Sequence, residues 1–361
     1  MKIIYLFCTL AYLLTGTSSF AQYTTLLNFA VATTGLSPYG SLISDGTFLY
    51  GMTTSGGTNS HGTIFKIMPD GTGYVQLLDF AGPTTGRNPY GSLISDDTFL
   101  YGMTAYGGTN NLGTIFKIMP NGTGYVKLLD FAGTTNGSLP FGSLISDGTF
   151  LYGMTQNGGT NDMGTIFKIM PDGIGYVKLL DFAGATNGMN PYSSLISDGT
   201  FLYGMTQYGG TNNMGTIFKI MPNGTGHVKL LDFAGATNGR IPLGSLISDG
   251  TFLYGMTAQG GTSEYGVVFK FALAVGIDEL SMNNNELSVY PNPARGNFTI
   301  SINAVMKNAL VEIYTVFGEK VYSTILNNKQ ETINTKQFSS GIYFVKVGAG
   351  EKLFTKKLIV E

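Results

Sequence analysis

Counting from Tyr23, one 51-residue unit runs five times with no insertion or deletion and closes near residue 277. A unit this short has no room for a core of its own, so each copy must bury its apolar face against its neighbours. The phase of the repeat adds a second constraint. Tyr23 to Phe29 reads YTTLLNF, the counterpart of YVQLLDF at 74–80, YVKLLDF at 125–131 and 176–182, and HVKLLDF at 227–233, yet no such segment follows the fifth GSLISDGTFLYGMT. A chain that opens on a segment its far end lacks is expected to close on itself, as an all-β, five-bladed β-propeller sealed by its N-terminal strand. The alternative is an open stack of hairpins, which needs atypical polar caps at its ends; the first copy carries none.

Within a copy, four aromatic or β-branched segments alternate with turn chemistry, the pattern of short strands. In the first they are YGSLIS (39–44), TFLYGMT (47–53), GTIFKIM (62–68) and YVQLLDF (74–80), called A to D below. Asp45-Gly46 joins A to B and Asp70-Gly71 joins C to D, both dipeptides of tight hairpins with positive φ. Asp96-Asp97 breaks the rule and should strain its turn, because Asp tolerates a left-handed backbone less readily than Gly. The fifth copy reads FALAVG (271–276) where the others read IMPDG or IMPNG, so the C-to-D turn is lost there. Residues 23–29 are then expected to supply the missing D strand, pairing with the last copy over 244–271.

Composition supports a β-rich, exported chain. Only 12% of residues are charged, Gly is 52 of 361, and Tyr (21) and Phe (24) are abundant. The formal charge of −2 leaves no basic excess to neutralise phosphates, which argues against nucleic acid as a partner. Residues 1–21 read as a secretory signal: Lys2, the apolar run IIYLFCTLAYLL, then small residues up to Ala21. Cleavage there removes Cys8, the single cysteine, leaving no thiol nucleophile and no disulfide. No later stretch reaches the roughly 18 apolar residues of a membrane helix.

The repeat gives out near residue 277, and IDELSMNNNELS opens a polar connector, taken as 277–286 between a repeat region of 22–276 and a module of 287–361. Alternation in FTISI and IYFVKV points to half-buried strands of a small, Ig-like β-sandwich. This module resembles the type A C-terminal sorting domain of the bacterial type IX secretion system. The likeness is carried by Tyr290, Pro291, Asn292 and Pro293 (YPNP) followed by Gly296, by IYTVFGEKV with Gly318, by SSGIYFVKV with Gly341 and Tyr343, and by KKLIV with Lys356 and Lys357. The resemblance implies a Bacteroidetes-type exporter, recognition of 287–361 by its machinery, and a cargo secreted or anchored at the outer-membrane surface. The repeat is similar to the tandem GloVer repeats of bacterial surface proteins, carried by LYGMTxxGGTNxxGTIFKIMPDG at 49–71, a family that lends no activity.

Near-uniform copies make one catalytic centre hard to build, since that needs unlike groups converging. The acids recur copy by copy: Asp45, Asp96, Asp147, Asp198 and Asp249 in one set, and Asp79, Asp130, Asp181 and Asp232 with Asn28 in another. Turn chemistry and strand-end bonding account for both. His61 and His227 occupy unmatched positions and read as tolerated variants. With no cysteine after cleavage and no HExxH, GxSxG or P-loop, no cofactor or metal is expected. GGTN (56–59 and its copies) reads as a turn, with no helix behind it to present N–H groups to phosphate.

What differs among copies lies in the B-to-C and D-to-A loops, which share one face of a propeller. Loops on a rigid scaffold are where binding residues gather. The candidate ligand-binding face therefore takes Tyr106, Tyr208 and Tyr265 for stacking, Asn59, Asn110, Asn161 and Asn212 for hydroxyls, and Arg87 and Arg240 as anchors. The expectation is a non-enzymatic secreted or surface propeller that binds glycans or proteins multivalently. Its competitors are a polysaccharide-active enzyme, with Glu264 the one unique Glu of the repeats, and a passive spacer.

Overall fold

The computed structural model describes residues 23–273, 287–302, 309–315, 319–326, 328–349 and 352–361. The signal reading of 1–21, the connector 277–286 and Gly318 lie outside them. The chain folds as two compact units, dividing between Lys270 and Phe271.

In the first unit each copy becomes one antiparallel sheet. The first holds β1 (Ile43–Ser44), β2 (Leu49–Thr53), β3 (Thr63–Ile67) and β4 (Val75–Asp79), in that spatial order. The next three sheets repeat it as β5–β8 over 94–130, β9–β12 over 145–181 and β13–β16 over 196–232. The fifth has three strands, β17 (Ile247–Ser248), β18 (Phe252–Met256) and β19 (Val268–Ala272).

Local chemistry explains the hairpins. Asp45 Oδ1 accepts the N–H groups of Thr47 and Phe48 at 2.8 and 2.7 Å, and its Oδ2 accepts the Tyr50 hydroxyl at 2.7 Å. The Phe48 N–H, then the Tyr50 hydroxyl, hold the Asp45 carboxyl below the usual carboxylate range. Gly46 takes φ 89°, and in the second copy Asp97 is forced to φ 70° at the same place. The mid-strand glycine of LYGMT has a packing reason: a Cβ on Gly51 would stand 2.7 Å from the Phe65 ring, which lies across it from β3.

Neighbouring sheets meet through a repeated set of contacts. Phe80, just past β4, meets Phe116 of the next sheet edge-on at 5.5 Å, as Phe131 meets Phe167 and Phe182 meets Phe218. On the inner side the Ser41 N–H donates to Ser92 Oγ, Ser92 to Ser143, Ser143 to Ser194 and Ser194 to Ser245. Tyr39, Tyr90, Phe141 and Tyr192 follow one another with ring centroids 5.4, 5.0 and 4.8 Å apart, tilted, edge-on and stacked in turn, and with Leu243 they line a common space of about 270 Å3. The sheets are thus arranged as blades whose entry segments share one centre, the propeller-like pattern expected. Ile64, Ile115, Ile166 and Ile217 are fully buried between them, each such side chain contributing about 1.5–3 kcal/mol.

Closure by the N-terminal strand is the expectation that the structure corrects. Residues 23–29 form no strand, and among the described residues β19 pairs with β18 alone. The segment instead sits against the first sheet as β4 sits against the second: Phe29 meets Phe65 edge-on at 5.5 Å, and Leu26 covers Gly71 as Leu77 covers Gly122. Among the described residues both ends of the array stay open. Val268 is 80% exposed where its counterparts are at 0%, and Met256 is 59% exposed where Met52, Met103, Met154 and Met205 are at 4% or less. A Cβ on Gly40, Gly91 or Gly142 would strike the next copy's carbonyl oxygen within 2.5 Å, but Gly244 faces open space. The physical reason is that the 51-residue period sets which contacts recur, whereas closing requires five inter-sheet rotations to sum to a full turn, which no single copy encodes.

The second unit is a two-sheet sandwich. One sheet holds β20 (Leu287–Tyr290), β21 (Asn297–Ile302) and β24 (Gln330–Asn334); the other holds β22 (Ala309–Thr315), β23 (Lys320–Leu326), β25 (Gly341–Ala349) and β26 (Lys352–Val360). Phe298, Ile300 and Ile333 of the first pack with Val311, Ile313, Val345, Val347 and Leu358 of the second in one buried cluster. The motif residues explain themselves here. Asn292 Nδ2 donates to the Lys357 carbonyl at 2.7 Å and its Oδ1 accepts the Ile359 N–H at 2.8 Å, so YPNP clamps the terminal KKLIV strand. Gly296 takes φ 89°, and the buried Tyr343 donates its hydroxyl to the Ser339 carbonyl at 2.8 Å. Gly341 begins β25 opposite Val360, which puts Lys356 opposite Val345 and Lys357 opposite Phe344. Tyr290 and Pro291, and Asn292 and Pro293, are joined by cis peptide bonds.

Candidate functional site

The B-to-C and D-to-A loops do lie together, and one junction forms a cleft. Between the first and second sheets, His61, Gly82, Pro83, Arg87, Gly107, Gly108, Thr109 and Asn111 line a space of about 340 Å3. Arg87 is held from both sides. Its N–H donates to the Tyr106 carbonyl at 2.9 Å and its carbonyl accepts the Tyr106 N–H at 3.1 Å. Its guanidinium lies 5.5 Å from the Tyr106 ring centroid, and its Nε donates to Asn111 Oδ1 at 3.3 Å. His61 is brought in because its carbonyl accepts the Asn88 N–H at 2.9 Å, while Asn88 Nδ2 donates to the Thr54 carbonyl at 2.8 Å across the junction.

No other junction reproduces this set. Ser138 meets Asn157, Met189 meets Tyr208 and Arg240 meets Gln259 where Arg87 meets Tyr106. Tyr208 is half-buried, and Tyr265, 91% exposed, stands on the open fifth copy, its backbone bridged to Gly260. Arg240 pairs through Nη2 with Glu264 at 3.2 Å, at the positions where Arg87 donates its Nε to Asn111. Of the predicted residues the structure joins Arg87 and Tyr106 in one cleft, and keeps Tyr208, Tyr265 and Arg240 apart from it.

The asparagines need a correction of role. Asn110, Asn161 and Asn212 donate Nδ2 to the carbonyls of Phe131, Phe182 and Phe233 at 2.9, 2.9 and 3.0 Å, fastening the loop to its own strand D. Asn59, at the same position in the first copy, is exposed. The second acid set does the same work. Asp130 accepts the Thr109 N–H at 3.0 Å and the Thr109 hydroxyl at 2.8 Å, and pairs with Lys127 at 2.8 Å. Burial acts to raise its carboxyl, but the bonds from Lys127 and Thr109 outweigh that and hold it below the usual range. Asp181 and Asp232 repeat the arrangement with Thr160, Lys178, Thr211 and Lys229. GGTN needs its second glycine because a Cβ on Gly108 would stand 2.2 Å from Asp130 Oδ1.

His227 takes the place of Tyr125 and Tyr176. Those tyrosines stack on Phe116 and Phe167 at 5.7 Å and donate their hydroxyls to the carbonyls of Thr85 and Asn136 at 2.8 Å. His227 keeps the stack, on Phe218 at 5.8 Å, but its Nε2 is buried without a partner, and burial pushes its pKa down. Sequence reasoning set His61 aside as a tolerated variant and did not single out Asn111. The available signal was that both positions differ among the copies, as position 87 does, but only the fold shows that the three meet.

An array of four-stranded antiparallel sheets, followed by a β-sandwich that clamps its own last strand, defines a modular all-β protein with an appended domain. The chain belongs to the Gloeobacter/Verrucomicrobia repeat family, whose model matches residues 11–154 and 145–284. Residues 288–361 match the secretion system C-terminal sorting domain, of the type IX system. That domain marks the protein as secreted or displayed at the outer-membrane surface and as a client of the type IX machinery. No helix among the described residues is long and apolar enough to cross a membrane.

Among curated proteins the chain is similar to an endo-acting ulvan lyase of Formosa agariphila, 32% identical over 95 residues that make up 24% of this chain and 18% of the lyase. Among solved structures it is similar to PorZ, a surface component of the type-IX secretion system of Porphyromonas gingivalis, at 15% identity and TM-score 0.42, covering 89% of this chain and 44% of that one. It is also similar to the extracellular domain of the hybrid two-component system BT4673 of B. thetaiotaomicron, at 14% identity and TM-score 0.45, covering 92% and 46%. The chain thus spans less than a fifth of the lyase and under half of either structure.

Proposed function

We propose that this is a non-enzymatic binding module, exported by its sorting domain, that takes a glycan or a surface protein on the loop face of the repeats. The Arg87 cleft carries the reading. A guanidinium fixed by a ring and an amide, beside an imidazole and at the rim of solvent, suits carboxylate or sulfate groups on a sugar chain, for which Arg offers a planar fork of donors. Binding is concentrated at the first junction, since only there do Arg, His and Tyr meet. The sandwich, with seven strands in sheets of three and four, is read as immunoglobulin-like, and its task as delivery.

A polysaccharide-active enzyme is the second reading, favoured by the ulvan lyase likeness and by Glu264 standing on the same face. Against it, Glu264 is engaged by Arg240. Calorimetric titration with acidic and neutral oligosaccharides separates the two. Binding of an acidic chain without turnover, weakened about tenfold by Arg87→Ala through loss of roughly 1.4 kcal/mol, is expected. Cleavage products that vanish in Glu264→Gln point to the enzyme instead.

A further inference from the structure

We propose that Tyr23–Phe29 of one molecule completes the fifth sheet of a second copy of this chain, joining the arrays head to tail by strand addition. β19 offers the free edge. Its five residues, VFKFA, carry a single charge and no proline, so the edge lacks the devices that usually block strand pairing. Its side chains are uncovered as well, with Val268 80% exposed where Ile64, Ile115, Ile166 and Ile217 of the other sheets are at 0%.

The segment that fits that edge stands at the opposite end of the array. Tyr23–Phe29 already packs one side on its own first sheet, through Leu26 and Phe29, in the way β4 packs on the second sheet. Its backbone makes no hydrogen bond among the described residues, so its strand-pairing groups are unspent. In the complete sheets this same segment pairs with strand C: Thr63 faces Asp79, Ile64 faces Leu78, Phe65 faces Gln76 and Lys66 faces Val75. Carried over by the 51-residue period, that register sets Val267 opposite Asn28, Val268 opposite Leu27, Phe269 opposite Thr25 and Lys270 opposite Thr24.

The rest of the junction is complementary too, because four copies of it exist inside the chain. Each inner Ser N–H donates to the Ser Oγ of the next copy, and among the described residues the series begins at Ser41, whose Oγ accepts from no earlier copy, and ends at Ser245, whose N–H meets no later one. Gly244 leaves the open space that a carbonyl of the next copy fills at Gly40, Gly91 and Gly142. Two ends that match one another but not themselves make a heterologous contact, which propagates into a ring or a filament. Strand addition of this kind takes its affinity from main-chain bonds and its register from alternate side chains.

Disulfide trapping of the full chain in a Cys8→Ser background tests this. Directly opposed residues of an antiparallel pair bring their Cβ atoms to about 4.5–5.5 Å, close enough to bridge after small adjustment. Leu27→Cys mixed with Val268→Cys should give a dimer under mild oxidation that neither variant gives alone. The double variant should give a ladder of covalent multiples that rises with protein concentration. Thr24→Cys with Lys270→Cys, two exposed positions, repeats the test if Leu27→Cys disturbs packing, and the off-register Thr24→Cys with Val268→Cys should trap far less. An internally bridged monomer from the double variant, no bridge from either matched pair, or equal trapping off register would each overturn the proposal.

Discussion

At the scale of single residues, most of the polar side chains that recur serve the scaffold. Asp147 binds two turn N–H groups and the hydroxyl of the buried Tyr152, at 2.8, 2.7 and 2.7 Å. Its pKa and those of Asp45, Asp96, Asp198 and Asp249 are depressed in the folded chain. Their contribution is therefore complete above the unfolded Asp value of about 3.9 and is lost as pH falls through the lower folded values. With His227 replaced by Tyr, thermal melts should hold steady from neutrality to about pH 5 and drop steeply below pH 4; melting of that variant that weakens instead between pH 8 and 6 would implicate other groups. His227 titrates in the other window. Its folded pKa lies below the unfolded value near 6.5, so acidification through that value protonates the unfolded chain first and costs stability. His227→Tyr should remove that loss and add a hydroxyl bond to the Asn187 carbonyl, the counterpart of those at Thr85 and Asn136. A gain of about 1 kcal/mol, seen as a higher denaturant midpoint that no longer shifts between pH 7 and 5.5, is expected.

Among elements, the four strands of a copy were legible in the sequence because turn dipeptides and alternation act locally. Predicted segments 39–44, 47–53, 62–68 and 74–80 contain β1 to β4, trimmed at their ends. The asparagines were not legible, since an exposed GGTN loop says nothing of the Phe carbonyl twenty-one residues on that takes the Asn110 amide. The YPNP motif, by contrast, was readable as a marker but not as a clamp, because its partner strand lies 65 and 67 residues away. Removing that clamp with Asn292→Ala should cost the sandwich about 1–3 kcal/mol by leaving the Lys357 and Ile359 backbone groups unpaired. Differential calorimetry should show one transition falling, that of the sorting domain, while the repeat array melts unchanged; a uniform drop would contradict the division into two units.

Over the whole molecule, uniformity and variation have separate meanings. The uniform positions build four equal junctions and leave two complementary ends, and the period alone could not show that the ends fail to meet. Variation brings Arg87, Tyr106 and His61 together at one junction, and the proposed binding is assigned to that junction rather than to five like copies. Delivery belongs to the other unit: a chain lacking 287–361 should accumulate in the periplasm, as fractionation and surface labelling would show, with normal surface display counting against the role of the sorting domain. Binding stoichiometry tests the central claim most directly. Calorimetric titration of the full chain with an acidic oligosaccharide should return one site per chain, abolished or weakened about tenfold by Arg87→Ala and untouched by Arg240→Ala. Four or five equivalent sites, or a single site lost with Arg240 and not with Arg87, would contradict it.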